Sequence, residues 1–193
     1  MFNNKYRLTE AVLKGRKTMT RRFIPGYDNI PLKEFEKIAH TDYVLSKSRY
    51  QVGDIIAVAQ SYHELNKQGY ISPEGLDHSC ESSAGYNNKM FVKAELMPHR
   101  IKITDIRIER LQDISDSDCM KEGIIKEYHA PGCRYFYYVP GVYVPGIGVK
   151  RVEDVHNTPQ EAFASLIDRV SGKGTWDSNP YVFVYSFELL PAQ

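Results

Sequence analysis

The stretch KGRKTMTRR, residues 14–22, marks the corner at which a short helix turns into a strand. The apolar residues of 8–12 lie on one stripe, which predicts a helix, and Gly15 can take the left-handed conformation that ends it. Residues 18–24 carry β-branched side chains at alternate positions, a pattern typical of a strand. We therefore expect a helix-to-strand corner here, around which the rest of the chain is organised.

Positive charge is concentrated near this corner. From Lys5 to Arg22 there are seven Lys or Arg and a single acid, Glu10, whereas the whole chain has a net charge of +1. A chain so close to neutral is poorly suited to coat nucleic acid non-specifically, because that mode needs many phosphate contacts. Lys14 and Arg16 also have a structural explanation, since cations stabilise the C-terminus of a helix. Any bound anion should therefore be held locally.

Length and composition indicate one domain of 193 residues, large enough to bury its own core. Weak periodicity or many Gly and Pro residues predict insertions near 25–49, 62–89 and 127–157, the first with room for a short helix. The longest apolar run is about five residues, short of the roughly 18 that a membrane span needs. No apolar segment of a secretory signal is found at the N-terminus. We expect a soluble, cytoplasmic protein with no membrane partner.

Three further segments predict strands. Residues 55–59 form an apolar run that indicates a strand buried on both faces. Residues 90–96 alternate as a strand does, and Pro98 breaks the pattern. Residues 181–189 are the strongest strand of the sequence, and we expect that strand to be central.

A long bent strand is predicted around residues 101–108. Ile101 and Ile103 have one parity and Ile106 and Ile108 the other, so a single register would turn half of them away from the core. A β-bulge near residues 104–105 would return them to one face and bend the strand, as small closed sheets require.

The next helix carries Glu122. Ser115 is a good N-cap, Ile114 and Cys119 occupy the apolar positions on either side of it, and Gly123 ends the helix. Glu122 follows Cys119 by three residues, so it lies on the same face and points toward the body of the protein. It also sits at the negative end of the helix, where a carboxylate is disfavoured. The same periodicity also fits an ordinary solvated glutamate.

Potential metal ligands do not form a pattern. His78 and Cys80 are close together in a polar loop, but a matching second pair of ligands is missing. Cys80, Cys119 and Cys133 contain no CxxC pair and suggest no disulfide framework. We expect no metal and no cofactor.

Aromatic residues are frequent among the Pro-Gly pairs of residues 127–150. Such side chains can stack on nucleic-acid bases. They can equally pack against one another and stiffen the insertion. After this region, Thr158 as N-cap, Pro159 at the first position and Glu161 as capping-box partner predict a helix that ends at Gly172.

Four segments, taken in order, resemble the ASCH domain family within the wider PUA-like group. They are EAVLKGRKTMTRR (10–22), YQVGDIIAV (50–58), HRIKITDIRIERLQDISDSDCMKEGI (99–124) and WDSNPYVFVYSFEL (176–189). In particular, the chain resembles the longer phage-associated and bacterial ASCH proteins. The resemblance implies an α+β fold, a PUA-like small mixed or antiparallel β-barrel flanked by short helices, with long loop insertions.

The resemblance also implies a function. It suggests a basic cleft over the corner that binds RNA or a modified nucleoside or nucleotide. Some compact ASCH members are amidohydrolases that remove acetate from N4-acetylcytidine, with a lysine and a threonine in a GxKxxT segment and a glutamate in the helix after the bent strand. The matching residues are Lys17 as proton acceptor, Thr20 as nucleophile and Glu122 as proton donor.

Three functions therefore stay open. The protein could bind RNA or a nucleotide, it could hydrolyse an acylated nucleoside, or it could serve as a platform for protein partners. In a binding module, Lys17, Arg21 and Arg22 would contact phosphate while loop tyrosines stack on bases, and the predicted substrate-binding residues are Arg16, Arg21 and Arg22. In a hydrolase, a lysine can act as base only if burial or neighbouring cations lower its pKa, and the same arginines are candidates for that effect. A regular strand would turn Lys17 and Thr20 to opposite sides, so both reach one substrate only if Lys17 still belongs to the turn.

Overall fold

A computed structural model describes residues 2, 4–24, 34, 37, 42–70, 84–128, 134–141, 143–144, 148–149 and 154–192. Its helices are α1 (Leu8–Leu13), α2 (Asp42–Ser46), α3 (Tyr62–Lys67), α4 (Ala84–Asn87), α5 (Asp116–Lys121), α6 (Pro159–Ser171) and α7 (Thr175–Ser178). Its strands are β1 (Met19–Phe23), β2 (Ile55–Ala57), β3 (Arg100–Arg110), β4 (Ile125–Tyr128), β5 (Tyr135–Tyr138), β6 (Tyr143–Val144), β7 (Gly148–Val149), β8 (Val155–His156) and β9 (Tyr181–Leu189).

The main sheet has four antiparallel strands in the order β1-β9-β3-β2. The prediction that β9 is central is confirmed, and its nearly continuous apolar sequence follows from that position. Val182 and Val184 enter the core beneath α5 and α6, whereas Phe183, Tyr185 and Phe187 enter a second core on the opposite face. The sheet is curled like half of a barrel and carries short helices, so the chain is an α+β protein.

The predicted bulge in β3 is also confirmed. Its register against β9 shifts between Ile103 and Asp105. Ile101, Ile103 and Ile108 are consequently all buried in the same core, although their positions differ in parity. The bulge keeps an eleven-residue strand on the core while it bends.

Two strand predictions are wrong in part or entirely. The segment 55–59 supplies only β2, an edge strand, and Ile55 is 57% exposed instead of buried on both faces. The segment 90–96 forms two 3₁₀ turns, Lys89–Phe91 and Ala94–Leu96. The side chain of Asn88 accepts a hydrogen bond from the Met90 N–H, which stabilises a turn in place of an extended backbone.

The predicted loop at 62–89 contains α3 and α4. Ser61 and Glu64 form a complete capping box at the start of α3, a signal that is present in the sequence. Within 25–49 the structure describes α2, Asp42–Ser46. The apolar positions on which the short helix is predicted, Leu32, Phe35, Ile38 and Ala39, lie outside the described residues, as do His78, Cys80 and Cys133. Among the described helices, none has both the length and the apolar character that crossing a bilayer requires.

The tyrosine-rich insertion forms a small sheet in the order β4-β5-β8. The rings of Tyr128 and Tyr135 pack with their centroids 5.2 Å apart, and Tyr138 is buried. Tyr128 and Tyr135 thus pack on each other, while about half of each side chain stays exposed. The predicted helix α6 is confirmed, with the Thr158 side chain accepting a hydrogen bond from the Glu161 N–H.

Candidate functional site

The corner is a turn whose backbone is hydrogen-bonded to α1 and to α5. Gly15 has a φ of 68°, and the N–H groups of Arg16 and Lys17 both donate to the carbonyl of Ala11, at 2.9 and 3.0 Å. Lys17 thus belongs to the turn, before β1 begins at Met19. This position removes the alternation that would have turned Lys17 and Thr20 to opposite sides.

A buried ion pair joins the corner to the end of α5. Lys17 Nζ donates to Glu122 Oε2 at 2.5 Å and to the Glu122 carbonyl at 2.9 Å. Lys17 is 2% exposed and Glu122 is 4% exposed, so the solvated-glutamate alternative is wrong. Gly123, with a φ of 103°, lets the chain reverse directly over the Lys17 side chain. A backbone hydrogen bond also joins the corner to α5, because the Thr18 N–H donates to the carbonyl of Lys121 at 2.9 Å.

Arg21 occupies the centre of a larger ionic network. Its Nη1 donates to Glu122 Oε1 at 3.0 Å and its Nε donates to Glu109 Oε1 at 3.0 Å. Arg107 extends the network by donating to Glu109 Oε2 at 3.0 Å and to Asp118 Oδ2 at 2.6 Å. The Arg21 side chain is buried and its guanidinium lies 5.7 Å from the ring centroid of Phe163. Its donors are therefore committed to holding the carboxylates in place.

The environment of Lys17 shifts its titration. Burial lowers the pKa of Lys17, the Glu122 carboxylate opposes this shift, and the charges of Arg22 and Arg21 lower the pKa further. Two of the three arginines predicted to act on this lysine therefore do so. A buried amine with a lowered pKa is the form of lysine that can accept a proton.

Asp118 is held as a carboxylate. Burial alone would raise its pKa, but the hydrogen bond from Lys121 and the charges of Lys121, Arg107 and Arg21 outweigh burial and lower it. Asp118 therefore supplies a fixed negative charge 3.7 Å from Arg21 Nη2.

An open cleft of about 400 Å³ lies beside the corner. Lys17, Thr20 and Glu122, the three predicted catalytic residues, all line it. Within the described part of the chain, Thr20 Oγ1 makes no hydrogen bond to Lys17 or Glu122. The opposite wall is mostly apolar and comes from the N-terminal segment and α6: Phe2, Leu8, Phe163, Leu166, Ile167 and Val170.

The predicted substrate-binding arginines are separated by the fold. Arg22 is exposed and lines the cleft, and Arg21 lines it from a buried position. Arg16 is exposed on another side, in a separate cavity with Arg7 and Lys14. The structure thus brings two of the three arginines to the cleft and directs Arg16 elsewhere.

Lys89 is a cleft residue that sequence reasoning missed. Its Nζ donates to Asn4 Oδ1 at 2.7 Å, to Thr9 Oγ1 at 2.9 Å and to the carbonyl of Phe2. Burial lowers its pKa to about 8. The local sequence carried no signal for this position, because only the tertiary fold brings the N-terminal segment next to it.

The described residues contain no group of three or more His, Cys, Asp or Glu side chains arranged to hold a metal ion. The carboxylates at the cleft are paired with Lys and Arg instead. The arrangement is therefore suited to proton transfer and to hydrogen bonding with an uncharged ligand.

Comparison of the chain with protein-family models, with curated proteins and with solved structures finds no match.

Proposed function

We propose that the cleft binds a modified nucleoside or nucleotide and hydrolyses its N-acyl group, as in N4-acetylcytidine. The observation that carries the proposal is the convergence of Lys17, Thr20 and Glu122 on one cleft, with a buried Lys–Glu pair in its wall. The resemblance to ASCH amidohydrolases supplies the roles. We extend the same proposal to the fold and take the curled sheet as a PUA-like barrel.

The size and charge of the cleft favour a small ligand. Its volume of about 400 Å³ falls within the roughly 300–1,000 Å³ typical of small-molecule sites. The positive charges of Lys17 and Arg21 are balanced by Glu122 and Glu109, so these two residues are not available to attract an anion into the cleft. The apolar wall that includes Phe163 suits the flat face of a base.

The Lys–Glu pair supplies both an acid and a base. Lys17 Nζ and Glu122 Oε2 are 2.5 Å apart, so a proton can pass directly between them, and burial disfavours the charged form of Lys17. In the uncharged form of the pair, the Lys17 amine is a proton acceptor and the Glu122 carboxylic acid is a proton donor. Arg21 orients the carboxyl group from its other oxygen.

The reaction then takes two steps. Thr20 Oγ1 bonds to the acyl carbon while its proton passes to the Lys17 amine, and the C–N bond breaks as Glu122 protonates the departing exocyclic nitrogen. The amine is released, the acyl group remains as an ester on Thr20, and Lys17 returns a proton to Glu122. Water hydrolyses the ester, which releases the carboxylic acid and restores the threonine hydroxyl.

A second candidate is RNA binding without chemistry. It is favoured by the two basic residues Arg22 and Lys89 on the cleft walls. It predicts salt-dependent binding of RNA with no change to the ligand.

The experiment incubates the purified protein with N4-acetylcytidine and other N-acylated nucleosides and follows the free nucleoside by chromatography. We expect turnover in the wild type and its loss in Thr20→Val. This substitution removes the hydroxyl group but keeps a β-branched side chain of similar size. Thr18→Val is the matched control, because Thr18 is on the same segment but does not line the cleft. Intact substrates with wild-type protein would refute hydrolysis.

A further inference from the structure

A second cavity lies next to the cleft and has a different chemistry. Its volume is about 550 Å³, and its floor is formed by buried apolar residues of β3 and β9: Ile101, Ile103, Phe183 and Phe187. Its mouth carries Lys47 and Arg49, both exposed, together with Tyr50 and Phe23. An apolar, aromatic interior with cations at the entrance suits a planar group attached to an anion.

The two cavities adjoin each other. They share Phe2, Thr20 and Arg22 as lining residues, so Thr20 lies at the boundary between them. A ligand that presents an acyl group to Thr20 therefore lies next to the second cavity as well.

Lys47 and Arg49 of the second cavity differ from Lys17 and Arg21 of the cleft in their ion pairing. Lys47 lies 4.8 Å from the ring centroid of Tyr43 and Arg49 lies 5.3 Å from that of Tyr50. Neither makes an ion pair with a described residue, and the described lining of the cavity contains no carboxylate. Lys17 and Arg21, in contrast, are neutralised by Glu122 and Glu109. An anion is thus better accommodated beside Lys47 and Arg49 than beside Lys17 and Arg21.

We infer that the second cavity holds the nucleotide next to the acylated one, with its base on the apolar surface and its phosphate near Lys47 and Arg49. This inference rests on the proposed function and names its substrate class: an N-acylated nucleotide within single-stranded RNA. Bases stacked on aromatic side chains beside a basic groove are the usual mode of binding single strands.

The test compares N4-acetylcytidine with a trinucleotide that carries it in the central position, using kcat/KM for deacetylation. We expect the trinucleotide to be favoured on the order of tenfold, as one stacked base would give. In Lys47→Ala and Arg49→Ala the ratio of the two kcat/KM values should fall toward one. Lys102→Ala, which removes an exposed lysine whose side chain alternates away from the core face of β3, should keep the wild-type ratio.

Equal kcat/KM values for the two substrates, or a preference that both substitutions leave unchanged, would overturn the inference. If neither substrate is hydrolysed, the proposed function fails, and the second cavity is tested by fluorescence anisotropy with a labelled single-stranded RNA. Binding that weakens in Lys47→Ala and Arg49→Ala but not in Lys102→Ala would uphold the cavity as a nucleotide site. Absent binding, or binding insensitive to these substitutions, would overturn it.

Discussion

The Nζ atom of Lys17 lies 2.5 Å from Oε2 of Glu122, although 105 positions separate these residues in the sequence, and both side chains are almost fully buried. An ion pair in such a place is not an efficient way to stabilise a fold, because desolvation offsets much of the attraction. Its location in the wall of an open cleft, beside Thr20, fits the catalytic role that we propose for it.

The first prediction concerns the stability of this pair. Glu122→Gln should lower the free energy of unfolding by about 3–5 kcal/mol, since it leaves the buried lysine without its carboxylate. Chemical denaturation measures the change, with the exposed Glu95→Gln as control. Adding Lys17→Met should restore part of the loss, because the unpaired charge is then removed. Simple additivity of the two substitutions would show that the residues do not interact.

The second prediction concerns Arg21, whose guanidinium contacts two carboxylates with separate nitrogens. Lysine has a single donor group and cannot reproduce this fork. Arg21→Lys should therefore lower the free energy of unfolding by about 2 kcal/mol. The substitution should also lower kcat by a larger factor than it raises KM. The reason is that the donors of Arg21 are paired with Glu122 and Glu109 and so hold Glu122 in position. A pure KM effect would instead make Arg21 a substrate contact.

The third prediction is a pH dependence from Lys89. Its pKa is about 8 in the folded protein, against an ordinary value of 10.5. Between these two pH values the unfolded chain binds more protons at this group than the folded chain, so the contribution of Lys89 to stability rises with pH. Urea denaturation gives the free energy of unfolding of wild type and of Lys89→Met at each pH. The value for wild type minus the value for Lys89→Met should increase from pH 8 to pH 10.5. The exposed Lys67→Met should show no such trend.

The fourth prediction concerns Cys119, which is buried under α6. Burial raises the pKa of its thiol to about 12, so the reactive thiolate is scarce in the folded protein. Iodoacetamide should leave Cys119 unmodified under native conditions and modify it after denaturation, as peptide mass mapping would show. Native labelling at a rate similar to that of the unfolded chain would place Cys119 at the surface.

Local sequence patterns were sufficient to predict the helices and the strand that surround the site. Gly15 ends α1, the Ser115 cap begins α5, and the change of parity along 101–108 corresponds to a real bulge. Each of these features is decided by a few neighbouring residues. The inward direction of Glu122 also followed from its three-residue spacing to Cys119.

The remaining features depend on the tertiary fold. Alternation in 90–96 resembles a strand, but the segment finds no partner strand and the Asn88 cap favours a turn. Arg16 and Arg21 are equally basic in the sequence, and only the direction of the turn sends one to solvent and the other into the network. Lys89 joins the cleft because the N-terminal segment crosses beside it, which no local pattern reports.

In the function we propose, the Lys17–Glu122 pair acts with Thr20 to hydrolyse an N-acylated nucleoside. The most direct measurement is the rate of cytidine release from N4-acetylcytidine by wild type and by Glu122→Gln, each corrected for its folded fraction. We predict that wild type turns the substrate over and that the variant loses on the order of 100-fold or more in kcat, because an amide cannot donate the proton. No turnover in wild type, or equal rates in the two proteins, would contradict it.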